Sequence, residues 1–429
     1  MKSHNRLFSL ILITLILIAA ITALSLTPAP QQTSQTYLTL YIIGTTLESG
    51  QNLATDTLKT LADTWDSTAG DILIAYGGAD KPGWNTNITI TNITLLKQDL
   101  LDETIGTDNG QLTTHILTRL NTTTMADPQA LADYLLYSQT YQTKHHLTNA
   151  NTILLFWGHG YGPEGYGPNK YLEPPLTTTD IRIALSTAHT SSQPYDLIIF
   201  DSCLMASLEL ADNIHPYATL LLASEELIPL GGLNYTALTS SPGTTPQDLG
   251  LTLIHSYMNT TRTPKTLSLI NLTQIPRITE QLNHLGDQLT DKIRHNPSFI
   301  QTLNHIYNTT QGFGSLNKTS IVTTTINTID LSHYLQNLKA HTQNTSIRQT
   351  IDELQQTLQT CIIHTENDGP FIATGGITIA SPTEYYHITL VPDTITLGNQ
   401  GWKKYLTAYL NDPDATSRPI GVRFTPDTI

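Results

Sequence analysis

With 429 residues the chain is long enough to bury a large core and, at ordinary domain sizes, to form two or three units. Its 21 Lys and Arg against 35 Asp and Glu give a formal charge of −14, which lacks the positive footprint of a phosphate binder and argues against nucleic acid as a partner. Apolar residues at 39 % and charged residues at 13 % leave a neutral, hydrogen-bonding exterior of Thr, Asn, Gln and Ser, a composition unlike that of disordered chains.

The first element is a leader. Lys2 and Arg6 precede an almost unbroken apolar run over 7–26, followed by Pro28-Ala29-Pro30 and a polar stretch, the pattern of an export signal. Roughly 20 apolar residues are long for a signal peptide and about enough to span a bilayer, so a cleaved signal and a retained anchor both stay open for 1–27, with 28–36 as linker. The basic flank predicts that everything after residue 27 lies outside, secreted or tethered at the cell surface through 7–26. Asn-x-Ser/Thr sequons recur from Asn87 to Asn344 and permit glycosylation where a host has the machinery.

Beyond the linker, Tyr37–Ile43 reads as a strand, followed by a turn at Gly44 and a helix whose Ala54, Leu58, Leu61 and Trp65 share a face. Asp71–Tyr76 is a second strand, and the Thr/Ile alternation over 85–96 predicts a β-excursion near an edge. Asp127 as N-cap and Pro128 at the first helical position start a helix through Leu131, Leu135 and Leu136. Thr152–Trp157, Asp196–Phe200 and Thr219–Ala223 are short apolar runs separated by helix-sized segments, which predicts an α/β fold: a mostly parallel sheet with helices on both faces. Thr266–Leu272 adds a strand. Ile278–Leu289 and Leu331–Leu358 read as helical, and Gly376–Ala380 with a helix over Trp402–Leu410 closes the chain. A boundary near residue 262 separates an α/β region, 37–262, from a mainly helical region, 263–429, that completes the fold.

In open α/β sheets chemistry collects at the carboxyl ends of strands. Two ends carry reactive side chains: Trp157 runs into Gly158-His159-Gly160-Tyr161-Gly162, and Phe200 runs into Asp201-Ser202-Cys203 and a helix-forming segment, Leu204–Glu209. A cysteine at a helix N-terminus beside an imidazole has a lowered pKa, so Cys203 is expected as a thiolate nucleophile with His159 as general acid and base. The backbone N–H groups of Gly160 and Cys203 are candidate oxyanion donors.

These residues resemble a known family. Leu154-Leu155-Phe156-Trp157-Gly158-His159-Gly160 and Asp196–Ala206, with its Asp201-Ser202-Cys203-Leu204-Met205, are similar to the histidine and cysteine motifs of clostripain-like peptidases, in the clan of caspases, legumains and gingipains. The resemblance extends to Asp127-Pro128, Ala223-Ser224-Glu225-Glu226, Gly376–Ile379, and Trp402 with Tyr405 and Tyr409, over roughly 37 to 410. It implies a caspase-like fold and endopeptidase activity on polypeptides, typically after basic residues, with Asp201 lining the pocket for the residue before the scissile bond (P1). It also implies maturation by cleavage in the loop between His and Cys, for which Lys170 is the candidate. The family's second pocket acid falls on Gly231 and its aromatic near Leu233, so neither is present and the preference for Arg or Lys rests on one carboxylate.

Plainer readings stand beside these. Cys203 and Cys361, the only cysteines, are able to form one disulfide. Asp201 also fits as a helix cap, and Glu225 and Glu226 as solvated or structural acids. His145, His146 and His189 have no companions at zinc spacing and no Asp-rich calcium loop is present, so neither metal nor cofactor is expected. The alternative function is a catalytically silent surface scaffold that keeps the fold for binding.

Overall fold

The structure is a computed structural model that describes residues 35–85, 87–102, 115–122, 124–168, 174–189, 193–240, 243–260, 264–314, 326–381, 397 and 400–411. The leader, 1–34, and Lys170 lie outside the described residues. Among the described residues no helix is long and apolar enough to cross a membrane.

Among the described residues twelve strands form in chain order: β1 Thr36–Ile43, β2 Gly70–Gly77, β3 Ile88–Asn92, β4 Thr118–Leu120, β5 Asn151–Trp157, β6 Tyr195–Asp201, β7 Ala218–Ala223, β8 Lys265–Asn271, β9 Gly312–Phe313, β10 Asn327–Asp330, β11 Ile362–Asp368 and β12 Thr378–Ser381. Nine make one sheet in the order β11-β8-β7-β6-β5-β1-β2-β3-β4, and β12-β10-β9 make a small second one. The centre, β7-β6-β5-β1-β2, is parallel, and both margins are antiparallel. The α/β architecture is the expected one, with β8 and β11 of the C-terminal region contributing to the main sheet.

Register explains why the central strands are uniformly apolar. Ile74, Leu40, Leu155, Ile199 and Leu222 lie in one row across the five parallel strands and face one core. One position along, Tyr41, Ala75, Phe156 and Phe200 face the other. Helices Leu53–Thr64, Ile93–Leu101, Tyr235–Thr239 and Pro246–Met258 cover the first face, and Pro128–Lys144, Thr178–Ala188, Leu208–Ile214 and Ile275–His295 the second. A strand with helices on both sides has no face left for alternating polarity. The C-terminal helices Phe299–Thr309, Leu331–His341 and Gly401–Leu410 meet around Tyr307, Tyr334 and Tyr405, whose hydroxyls are linked (Tyr334 to Tyr405 2.8 Å, Tyr405 to Tyr307 3.2 Å), so burial leaves none of them unsatisfied.

Three expectations about elements change. The excursion over 85–96 is strand only to Asn92, whose side chain then accepts from the Leu95 N–H at 2.9 Å and starts a helix. The helical stretch over 331–358 is two helices, the second, Thr345–Cys361, capped by Asn344. The segment after Cys203 is not yet helix: that helix begins at Leu208, with Ser207 accepting from Leu210 N–H.

Candidate active site

β5 and β6 are neighbours with Trp157 opposite Asp201, so the two chains leave the sheet in step and carry His159 and Cys203 off matching ends. Their loops touch. A Cβ on Gly160 would lie 2.2 Å from the Cys203 carbonyl oxygen and 3.0 Å from its nitrogen, so only glycine allows the contact. The Tyr166 hydroxyl, 2.7 Å from the Trp157 carbonyl and 2.9 Å from that of Tyr41, steadies the ends of β5 and β1. β1 ends on the same rim, and three residues on, in the short helix Thr45–Gln51, the Thr46 hydroxyl lies 3.1 Å from His159 Nε2.

The segment 203–207 is a strap between the two sheets. Leu204 N–H donates to the Glu226 carbonyl (3.1 Å), Ala206 N–H to the Ser224 carbonyl (2.9 Å), and Thr378 N–H of β12 to the Ala206 carbonyl (2.8 Å). Leu204 takes a left-handed φ of 67°, sparsely populated for a branched side chain, which turns the chain just after Cys203. These bonds hold the segment out of helical geometry although Leu204, Met205 and Ala206 are good helix formers.

The expected thiolate–imidazolium pair is therefore not what the structure contains. Cys203 sits five residues before the helix of Leu208, outside the reach of its dipole. Its Sγ accepts the Ile228 N–H at 3.3 Å, and the residue packs against the small cluster of Tyr161, Leu204 and Phe313, as do Leu227 and Phe371. Burial pushes the thiol up to about 12; the Ile228 N–H works against this, and the Glu226 and Asp201 carboxylates add to it. His159 is 4 % exposed, and burial brings its imidazole down to about 4. Both shifts favour the uncharged forms. Both cysteines are free thiols, which removes the disulfide reading: Cys361 is buried at the end of its helix, 3.4 Å from the Asn271 carbonyl.

Asp201 is buried beside them. It accepts the Tyr235 hydroxyl at 2.6 Å and the Leu233 N–H at 3.3 Å, and burial raises its carboxyl to about 6 against the pull of those two donors. A Cβ on Gly232, at φ +62°, would fall 2.4 Å from Asp201 Oδ2, so the 229–233 turn closes directly over the carboxylate. Asp201 is not a helix cap, since Ser207 does that work. An aromatic does reach this carboxylate, from Tyr235, two residues past Leu233.

Glu225 and Glu226 are buried and structural. Glu225 accepts the Gly376 N–H at 3.1 Å, and Glu226 accepts the N–H groups of Leu227 and Gly314 at 2.7 and 3.1 Å, tying the β7 loop to the C-terminal region. Lys170 lies outside the described residues; the flanks of its loop, Tyr166 and Leu176, pair with each other. His145 and His146 are exposed, and His189 packs edge-on against Tyr217. Thr46 and Tyr235 were missed by sequence reasoning; a threonine just past the end of β1 and an aromatic just past the glycine turn are weak signals until the strand order is known.

The Clostripain family matches residues 41–409 of the chain. No curated protein matches it. Among solved structures, a secreted C11 cysteine protease from Bacteroides thetaiotaomicron in complex with an irreversible peptide inhibitor is similar at 12 % identity and a TM-score of 0.56, over 84 % of this chain and 98 % of that one. An inactive zymogen C11 protease from Parabacteroides distasonis is similar at 15 % identity and a TM-score of 0.57, over 86 % of this chain and 100 % of that one. At these identities the likeness is one of fold.

Proposed function

The chain belongs to the clostripain family of cysteine peptidases, and from that premise we propose that it is an exported endopeptidase in which Cys203 is the nucleophile and His159 the acid and base. The observation that carries this reading is the meeting of the two loops, with Gly160 packed against the Cys203 backbone at the ends of neighbouring parallel strands.

With Nε2 held by Thr46, Nδ1 of His159 is the ring nitrogen left to exchange a proton. A neutral imidazole takes the Cys203 proton as Sγ bonds to the scissile carbonyl carbon. The oxyanion is received by the N–H groups of Gly160 and Cys203, which no acceptor on another described residue takes. The C–N bond then breaks as His159 gives the proton to the departing amine, leaving a thioester. Water attacks the thioester while His159 takes one of its protons, and the acid leaves as that proton returns to Sγ. A general base that is neutral at pH 7 suits this route, and it needs no standing ion pair.

In this reading Asp201 favours Arg or Lys at P1 once the 229–233 turn withdraws from its carboxylate, which keeps lone pairs beyond those used by Tyr235 and Leu233. Cleavage at Lys170 frees the loop between His159 and Cys203. Export follows from the leader at 1–27, and the similar structure from Bacteroides thetaiotaomicron is of a secreted protease.

The test is cleavage of a peptide library randomised at P1, under reducing conditions, with Cys203→Ala beside the parent. Turnover confined to Arg or Lys and lost in the variant is the expected result. Turnover with another P1 preference rejects the pocket role of Asp201 but keeps the mechanism, and folded, loop-cleaved protein that cuts nothing returns the chain to a binding scaffold.

A further inference from the structure

Away from this site, the antiparallel margin of the sheet gathers a second set of chemistry-bearing side chains. His255 stands in the last turn of the helix Pro246–Met258, which packs on β8 and β11; His364 and Glu366 are two apart on the edge strand β11 and so face the same side. A register shift between Ile362 and His364 marks an irregularity of the kind that re-aims a side chain. His255 Nδ1 is 2.6 Å and His364 Nε2 is 2.7 Å from the same oxygen, Glu366 Oε1, and the three atoms all lie within 4.8 Å of one another. The two rings are 5.4 Å apart at 67°, so they approach the oxygen from different directions.

We propose that His255, His364 and Glu366 form a binding site for a single divalent transition-metal ion of the zinc type, which fastens the end of the helix to the edge strand. Two imidazole nitrogens and one carboxylate oxygen are a borderline-soft donor set that suits Zn²⁺, with hard Ca²⁺ and Mg²⁺ disfavoured. Around an ion with bonds of about 2.0–2.1 Å, tetrahedral ligand atoms stand about 3.3 Å apart. Each nitrogen therefore withdraws from Oε1 by about 0.6 Å, a shift that side-chain torsions supply. Glu366 is 30 % and His364 35 % exposed, which leaves an entry path and a fourth position for water. The ion displaces the protons that now bridge the three groups. β11 leads into the segment that carries Phe371, which packs against the same small cluster of Tyr161, Leu204 and Phe313 as Cys203 does, so the clamp secures a strand feeding the wall of the peptidase site.

The experiment is titration of the full chain carrying Cys203→Ala, without a polyhistidine tag, with ZnCl₂ by calorimetry and thermal unfolding, and with Co²⁺ by visible absorption. Cys203→Ala removes the thiol that would itself take zinc. The expected result is one equivalent of Zn²⁺ bound, a Tm raised by several degrees that Ca²⁺ does not reproduce, and a Co²⁺ spectrum of the intense tetrahedral type. His255→Ala with His364→Ala added should weaken Zn²⁺ binding at least tenfold and abolish the cobalt band while leaving the metal-free Tm close to that of its parent. Absence of saturable binding overturns the site, as does binding undiminished in the double variant. If that variant unfolds, Glu366→Gln is read by the cobalt band alone, and an unchanged band counts against the proposal.

Discussion

From Ile153 on β5 and Leu197 on β6 each side chain is apolar until Asp201, and the reactive groups appear only where the strands stop. Along β11, by contrast, His364 and Glu366 sit in mid-strand with a face open to solvent. The centre buries both faces, so anything that titrates there must be moved to a loop, and the loop's own burial then strips it of charge. The margin keeps one side wet, and its groups meet as hydrogen-bonded partners. At the centre His159 and Cys203 are held by different neighbours, Thr46 and Ile228; at the margin two imidazoles converge on one oxygen. The contrast teaches that side chains at the ends of doubly covered strands are positioned mainly by backbone, whereas those at the margin are positioned by one another.

Substitutions at the centre sharpen this contrast. The largest effect is expected of His159→Ala, which removes the acid–base partner and should lower kcat by about 10²–10⁴-fold with the fold intact by circular dichroism. Gly160→Ala is next: its Cβ would strike the Cys203 carbonyl, so the loops must part, costing about 1–3 kcal/mol of stability in denaturant melts and about 10²-fold in kcat/KM. The pH profile follows. Asp201, near 6, is charged above that pH and neutral below it, so kcat/KM for an Arg substrate should fall on acidification through about 6; Asp201→Asn should lose the limb along with most of the activity toward that substrate.

A stability measurement probes the centre from another side. Glu209 is buried, accepts the Ala380 N–H at 2.8 Å, and is raised to about 8 by burial. A raised carboxyl favours the protonated fold, so its contribution is full below the ordinary value near 4.5 and is lost as pH rises through about 8. Glu209→Gln should flatten that part of the decline between these limits, and a parallel curve for parent and variant would refute the assignment. The smallest effect is expected of Thr46→Val, which removes one hydrogen bond to His159 and should lower kcat several-fold, equivalent to about 1 kcal/mol.

The same contrast explains what the sequence disclosed. β1, β2, β5, β6 and β7 could be read because burial on both faces leaves short, uniformly apolar runs, and the glycine-flanked His159 and the Asp201-Ser202-Cys203 turn stood out at their ends. β11, written Ile362-Ile363-His364-Thr365-Glu366-Asn367-Asp368, has no such run, because an edge strand tolerates polar residues. Asn92 reads equally as strand or cap until its side chain is seen to bind Leu95. The thiol's environment was misread because the composition of 204–209 suits a helix, whereas the bonds from Leu204 and Ala206 to the β7 loop are long-range and override it. Tyr235 on Asp201 and His255 beside His364 are likewise contacts between elements distant in sequence, which the fold alone brings together.

The most direct test of the dyad is covalent: react the protein with a peptidyl electrophile ending in Arg or Lys, digest it, and locate the adduct by mass spectrometry in parent and His159→Ala. The account predicts a single adduct on Cys203, none on Cys361, and a labelling rate at least tenfold lower in the variant. Equal labelling of both cysteines, or a rate indifferent to His159, would contradict it.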